Sequence, residues 1–154
     1  ALRPQVGGLL ISANRNAETY AAYGRVIADA VGQFYGPLAG LLSGLRAADT
    51  AYVLAVPCDA PAIPSDLKDR LVAAMEKESR EAGIVSCDGQ LQPVFALVSR
   101  ALAEPLQEYL LAGGRGVERW MREQRAAIAN FAAAADFMNI NTPEQLRQFQ
   151  ERAS

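Results

Sequence analysis

The sequence predicts an α/β fold in which helices cover both faces of a mixed, mostly parallel sheet. Short apolar runs alternate with helical stretches along the whole chain, and the middle runs are apolar throughout, as expected of strands buried on both faces. The runs occupy residues 6–13, 25–29, 51–57, 83–87, 93–99 and 127–133. An Asp88-Gly89 pair between two of them predicts an antiparallel hairpin. With 154 residues, the chain has the size of a single domain.

A helix is predicted between the third and fourth apolar runs. Ser65 is a plausible N-cap, and Gly83 is expected to close the helix. One apolar stripe runs along it, formed by Leu67, Leu71, Val72 and Met75.

A second, terminal helix is predicted from about 143 to 152. Thr142 is its expected N-cap, Pro143 takes the first helical position, and Gln145 lies three residues after the cap. This arrangement is a capping box, in which cap and third residue satisfy each other's free backbone N–H groups.

Composition excludes several classes of partner and chemistry. The 15 basic and 17 acidic residues form no basic stripe, so nucleic acid is not an expected partner. No apolar run reaches the roughly 20 residues that span a bilayer, and the first residues do not resemble a signal peptide, so we expect a cytoplasmic protein without membrane association. Two cysteines without CxxC spacing are expected to be reduced thiols.

The chain contains no histidine. This excludes Ser-His-Asp and Cys-His catalysis and any zinc site with histidine ligands. Lysine occurs only at Lys68 and Lys77, both in one predicted helix. Chemistry must therefore rest on carboxylates, amides, hydroxyls, arginines or a hard cation.

Asp59 follows the apolar run at 51–57 and stands between Pro57 and Pro61. Ligands of open α/β sheets bind beyond the carboxyl ends of parallel strands, and two prolines stiffen the turn that carries this carboxylate. Such an aspartate is suited to Mg²⁺, which takes one or two carboxylates together with substrate phosphates. The alternative is a turn aspartate that bonds only its own backbone.

Three other stretches carry candidate residues, each with a structural alternative. Gly36 and Pro37 could begin a helix whose free N–H groups face a phosphate or base, or the glycines there could serve tight packing. Asn139 and Asn141 could bind one planar polar ligand from the same side of an extended segment, or shape the turn before the last helix. Arg115 could bind a phosphate or remain solvated.

Six motifs occur in an order that resembles the molybdenum cofactor guanylyltransferase family, across residues 6–151. They are ISANRN, VIAD, GPLAGLLSGL, PCDAPAIPSDL, QPVFAL and NINTPEQL. The resemblance implies a Rossmann-like three-layer fold of the nucleotide-diphospho-sugar transferase type. It also implies an enzyme that uses Mg²⁺ to transfer GMP from GTP to the terminal phosphate of molybdopterin carrying molybdenum, releasing pyrophosphate. Implied partners are GTP and the molybdopterin cofactor, and beyond them molybdoenzyme chaperones or other cofactor-synthesis proteins.

The resemblance also assigns roles to individual residues. On the nucleotide side, Asp59 matches the catalytic metal- and nucleotide-binding aspartate, Asp29 matches a nucleotide-contacting aspartate, and Ser12 stands where some members have a nucleotide-binding asparagine. On the pterin side, Asn139 and Asn141 match an asparagine pair, and Arg115 falls near an arginine of the same region. Gln92 replaces a histidine that is common in the family.

The family begins with a glycine-rich strand-loop-helix unit that holds the GTP phosphates, and residues 1–154 contain no match to it. Because a first parallel strand is usually central, we expect unpaired strand edges without it. An upstream segment or a partner strand is expected to supply it, and catalysis by residues 1–154 alone is left open. Two alternative functions are a non-catalytic protein that binds the pterin cofactor and a related transferase of CMP or sugar-phosphate nucleotides.

Overall fold

The computed structural model describes residues 2–13, 15–28, 36–132, 137 and 140–153. Each of the six predicted apolar runs overlaps a strand. β1 (Leu10–Ser12) and β2 (Arg25–Ile27) form a parallel pair. The other four strands form a second sheet in the order β3-β5-β4-β6, with bounds Tyr52–Ala55 (β3), Ala82–Cys87 (β4), Gln90–Ser99 (β5) and Ala127–Phe131 (β6). β4 and β5 begin one and three residues before their predicted runs.

The four-stranded sheet is mixed, as predicted. β5 runs antiparallel to both β3 and β4, while β6 is parallel to β4. Consequently β3, β4 and β6 share one direction and end at the same edge. The β4–β5 connection is the predicted hairpin: Cys87 pairs with Gln90, and Asp88 and Gly89 form the two-residue turn between them. Both turn residues have positive φ, at 48° and 78°, as tight hairpin turns require.

Helices lie on both faces of this sheet and create two separate cores, which confirms the layered α/β prediction. The helices are α1 (Ala17–Ala21), α2 (Pro37–Ala47), α3 (Leu67–Glu78), α4 (Ala103–Leu111), α5 (Val117–Glu123) and α6 (Pro143–Ala153). Residues of α2, α4 and α5 pack on one face around Leu42, Leu106 and Trp120. α3 packs on the other face, where Leu71 and Phe95 are fully buried.

The predicted caps of α3 are wrong at both ends. The helix begins at Leu67 with Asp66 in the N-cap position and no side-chain cap of its own. Instead, the buried side chain of Gln5 accepts a hydrogen bond from Lys68 N and donates one to Pro64 O, both at 2.9 Å. The helix ends before Ser79, which takes the left-handed conformation with φ 52°.

Gly83 therefore lies inside β4 and not at the end of α3. A Cβ at this position would approach Met75 Cγ to 2.9 Å. The glycine thus allows α3 to pack closely on the sheet.

The terminal helix and its capping box are confirmed. α6 begins at Pro143, and Gln145 N donates to Thr142 Oγ1 at 3.2 Å. In return, Gln145 Oε1 accepts from Thr142 N at 3.2 Å and from Asn141 N at 2.8 Å. One glutamine therefore fixes the two residues before the helix.

α2 contacts both sheets through its glycines. A Cβ on Gly40 would lie 3.2 Å from Ser12 Oγ of β1, and a Cβ on Gly44 would lie 3.7 Å from Val53 Cγ1 of β3. Among the described strands, β1 and β3 each pair along one edge only. Gly40 therefore allows a close approach to β1, whereas the space at Gly44 would accept a methyl group at an ordinary contact distance.

Candidate functional site

The carboxyl edge of the four-stranded sheet carries Asp59. β3 ends at Ala55, and the next residues turn with a long hydrogen bond of 3.5 Å from Ala60 N to Pro57 O. Asp59 is half-buried in this turn, whereas Cys58 is exposed and Ala60 is buried. The burial of Ala60 and the rigidity of the prolines hold the backbone that presents the Asp59 carboxylate.

A second segment of the chain is hydrogen-bonded directly to this turn. Ile140 N donates to the carbonyl oxygen of Asp59 at 2.8 Å. Asn141 comes next in sequence, is exposed, and has its backbone N–H bound by Gln145. The structure thus brings together two predicted site residues, Asp59 and Asn141, that are 82 positions apart in the sequence.

An aromatic cluster anchors the chain just before Ile140. Phe137 is 6% exposed and lies edge-on to Phe95 and Phe131, with ring centroids 5.0 Å away in each case. The Arg70 guanidinium stacks on the Phe131 ring at 3.8 Å and also donates to the carbonyl of Asn130. Sequence reasoning missed Phe137 and Ile140, because an aromatic residue after an alanine run gives no sign of its long-range partners.

Ser12 lies in a different group of contacts. It is the last residue of β1, is exposed, and faces the first turn of α2 at Gly40. Two other predicted site residues, Asp29 and Asn139, lie outside the described residues.

Arg115 occupies the turn between α4 and α5. Its Nη1 donates to Leu110 O at 3.0 Å and to Gly114 O at 2.6 Å. Leu110 O belongs to the last turn of α4, so the guanidinium binds carbonyl oxygens at the negative end of that helix. The predicted site residues therefore fall into three places, with Asp59 near Asn141, Ser12 against α2, and Arg115 in the α4–α5 turn.

The Asp59 carboxylate is chemically suited to a magnesium ion that would take its other ligands from substrate and water. No arginine or lysine of the described ranges forms an ion pair with this carboxylate. The described part of the chain also has no cluster of three or more histidine, cysteine or carboxylate side chains that could hold a metal ion. A single carboxylate matches the coordination of Mg²⁺, which retains waters and takes further oxygens from phosphates.

Comparison with known proteins decides the family. The model of the MobA-like NTP transferase domain matches residues 1–128. Proteins named molybdenum cofactor guanylyltransferase from Cupriavidus pinatubonensis and Ralstonia nicotianae are each 45% identical to this chain. The first match covers 95% of this chain and 76% of the relative, and the second covers 98% and 79%.

The chain belongs to the molybdenum cofactor guanylyltransferase family. The resemblance inferred from the six motifs is thereby confirmed, and with it the assignment as a nucleotidyltransferase enzyme of molybdenum cofactor biosynthesis.

Solved structures share the fold of this chain. The molybdopterin-guanine dinucleotide biosynthesis protein A from Archaeoglobus fulgidus superposes with a TM-score of 0.70 at 21% identity, covering 94% of this chain and 76% of that one. The 2-C-methyl-D-erythritol 4-phosphate cytidylyltransferase from Thermus thermophilus superposes with a TM-score of 0.69 at 16% identity, covering 98% and 84%. None of the described helices of this chain is long and apolar enough to cross a bilayer.

Proposed function

We propose that this chain transfers GMP from GTP to the terminal phosphate of molybdopterin carrying molybdenum. An oxygen of the pterin phosphate attacks the α-phosphorus of GTP, a new P–O bond forms, and the bond between the α- and β-phosphates breaks. Pyrophosphate leaves, and the product is the guanine dinucleotide cofactor. The attacking oxygen is anionic at neutral pH, so this reaction needs no histidine base.

The observation that carries this proposal is the hydrogen bond between Ile140 and Asp59. This bond joins the Asp59 turn, which we assign to the nucleotide, to the segment that contains Asn141, which we assign to the pterin. A transfer between two phosphates requires both substrates in one location, with the reacting atoms held in line. The proximity of these two segments supports a single site that accepts both substrates.

We assign the side chains as follows. The Asp59 carboxylate holds the metal ion and orients the nucleotide, and Ser12, together with Asp29, contacts the nucleotide. Asn141 and Asn139 bind the polar ring edge of the pterin, since amide groups both donate and accept hydrogen bonds. Arg115 serves the pterin side, where it would exchange a bond to a helix carbonyl for one to an anionic group.

Mg²⁺ is the proposed cofactor, with Asp59 as its protein ligand. When bound, the ion neutralises charge on the phosphates during transfer. The chain's own residues supply the remaining positioning, in keeping with the absence of histidine and the presence of only two lysines in the sequence.

The proposed location is the cytoplasm, and the proposed partners beyond the two substrates are molybdoenzyme chaperones or other cofactor-synthesis proteins.

The test is an assay of GMP transfer by the purified protein. Molybdopterin carrying molybdenum is incubated with GTP and Mg²⁺, and both pyrophosphate and the dinucleotide are measured. We expect stoichiometric formation of the two products, and turnover with CTP at least about 100-fold slower, a difference of about 2.7 kcal/mol in transition-state binding. Faster turnover of CTP than of GTP would assign the chain to another nucleotide. Pterin binding without pyrophosphate release would overturn the proposed catalytic activity.

A further inference from the structure

We infer that Phe137 is a positioning residue for the Asp59 carboxylate and acts through the hydrogen bond between Ile140 and Asp59. This inference rests on the proposed function, because it concerns how the same site is held in shape. The residue touches neither substrate, and its role is to fix the chain that braces the Asp59 turn.

The first step is the anchor itself. The ring of Phe137 is inserted between a residue of β5 and the last residue of β6, Phe95 and Phe131, which are 0% and 7% exposed. Two edge-to-face contacts define the ring's orientation as well as its depth. Arg70 covers the outer partner, Phe131, and thereby closes the cluster on its solvent side.

The second step is the short distance along the chain from Phe137 to Ile140. Three residues span at most about 11 Å when fully extended, so the position of the ring limits where the Ile140 N–H can lie. That N–H is 2.8 Å from Asp59 O. Among the described backbone hydrogen bonds, the Asp59 turn has one other, the long 3.5 Å bond from Ala60 N to Pro57 O.

The third step concerns the chemistry. Rotation of the peptide group at Asp59 would redirect its carboxylate, and the same movement of the 140–142 segment would carry Asn141 with it. A shift of about 1 Å between reacting groups can reduce the rate about 100-fold. Loss of the Phe137 anchor should therefore impair turnover more than its effect on stability predicts.

The test compares Phe137→Ala and Phe137→Leu with Leu106→Ala as the matched control. Leu106 is fully buried in the core on the other face of the sheet. Both alanine variants should lose thermal stability, as is usual for large-to-small changes in a core. At a temperature where all variants are folded, we expect a fall in kcat of about 10-fold or more only in Phe137→Ala, with a higher Mg²⁺ concentration for half-maximal rate. Phe137→Leu should recover most of that rate.

Amide hydrogen exchange at Ile140 provides a readout independent of activity. The N–H should be protected in the wild type and in Leu106→Ala, and should lose its protection in Phe137→Ala. Equal losses of kcat in both alanine variants, or normal kcat and Mg²⁺ dependence in Phe137→Ala, would overturn this inference while leaving the proposed function intact. Absence of GMP transfer by the wild type would overturn both.

Discussion

Ile140 N donates to Asp59 O across 2.8 Å, joining the carboxyl edge of β3 to the segment that precedes α6. The bond connects residues 81 positions apart and is made entirely by the backbone. It leaves the Asp59 side chain available to a ligand, and it places the exposed Asn141 beside the same turn. The metal-binding and pterin-binding roles proposed for this edge therefore depend on one shared piece of backbone.

Asp59→Asn should nearly abolish GMP transfer without unfolding the protein. The substitution removes the charge that binds Mg²⁺ but keeps the backbone carbonyl that accepts from Ile140. We expect kcat to fall by more than the roughly 10- to 100-fold typical of groups that only support a metal ligand. Asp69→Asn is the matched control, since Asp69 is an exposed α3 residue paired with Lys68 on the surface. Normal turnover in Asp59→Asn would remove this residue from the mechanism.

Gly40→Ala and Gly44→Ala should have opposite effects on the free energy of unfolding. Alanine is favoured over glycine in a helix by about 0.8–1.0 kcal/mol, and at Gly44 the new Cβ makes an ordinary 3.7 Å contact, so this variant should be stabilised. At Gly40 the new Cβ would press on Ser12 Oγ at 3.2 Å, and we expect the strain of this contact to exceed that gain. Urea unfolding measures both effects.

The same pair separates packing from nucleotide binding. If Ser12 contacts the nucleotide, Gly40→Ala should also raise the KM for GTP several-fold, whereas Gly44→Ala should leave it unchanged. An unaltered KM in both variants would argue against a role for Ser12.

Gln145→Ala should weaken binding of the pterin substrate more than binding of GTP. This side chain fixes Asn141 N and Thr142 N, and loss of a cap interaction typically costs about 0.5–2 kcal/mol. We expect the KM for molybdopterin to rise several-fold at constant KM for GTP. Gln148→Ala, an exposed change one turn later in α6, is the control. Equal changes in both KM values would indicate a general disturbance of the site.

Gln5→Ala should destabilise the protein by about 1–2 kcal/mol through the first turn of α3. The substitution removes the acceptor for Lys68 N and the donor to Pro64 O, and both bonds link segments far apart in the sequence. Denaturant unfolding and exchange of the Lys68 amide measure the effect. Gln90→Ala, an exposed residue at the start of β5, should change neither.

Local signals in the sequence predicted the elements whose determinants are close together. The Asp88-Gly89 hairpin and the Thr142–Gln145 capping box each depend on neighbouring residues, and both are confirmed. Short apolar runs likewise located the strands, and β4, which is buried at all of its positions, shows the near-continuous apolar sequence expected of a strand covered on both faces.

Features that depend on distant residues were not predictable in this way. The N-terminus of α3 is satisfied by Gln5 and not by Ser65, since a tertiary contact replaces the local cap. The register shift between Ile84 and Val85 in the β4–β5 pair has no local signal either. At the candidate site, Asp59 was predicted from its position after a strand. Its partner Ile140 was not predicted, because the bond between them is made by backbone atoms and does not depend on the type of side chain.

The contact of α2 with both sheets also has a consequence for the order of folding. The β4–β5 hairpin closes over a short turn, so it can form early, whereas the parallel β1–β2 pair requires a crossover through α1. α2 can pack on Val53 before Ser12 reaches Gly40. We therefore expect a late docking step, in which the β1–β2 unit packs on α2 after the four-stranded sheet has formed. Native-state hydrogen exchange should then show β1 and β2 opening at lower free energy than β4 and β5. The reverse order of opening would contradict it.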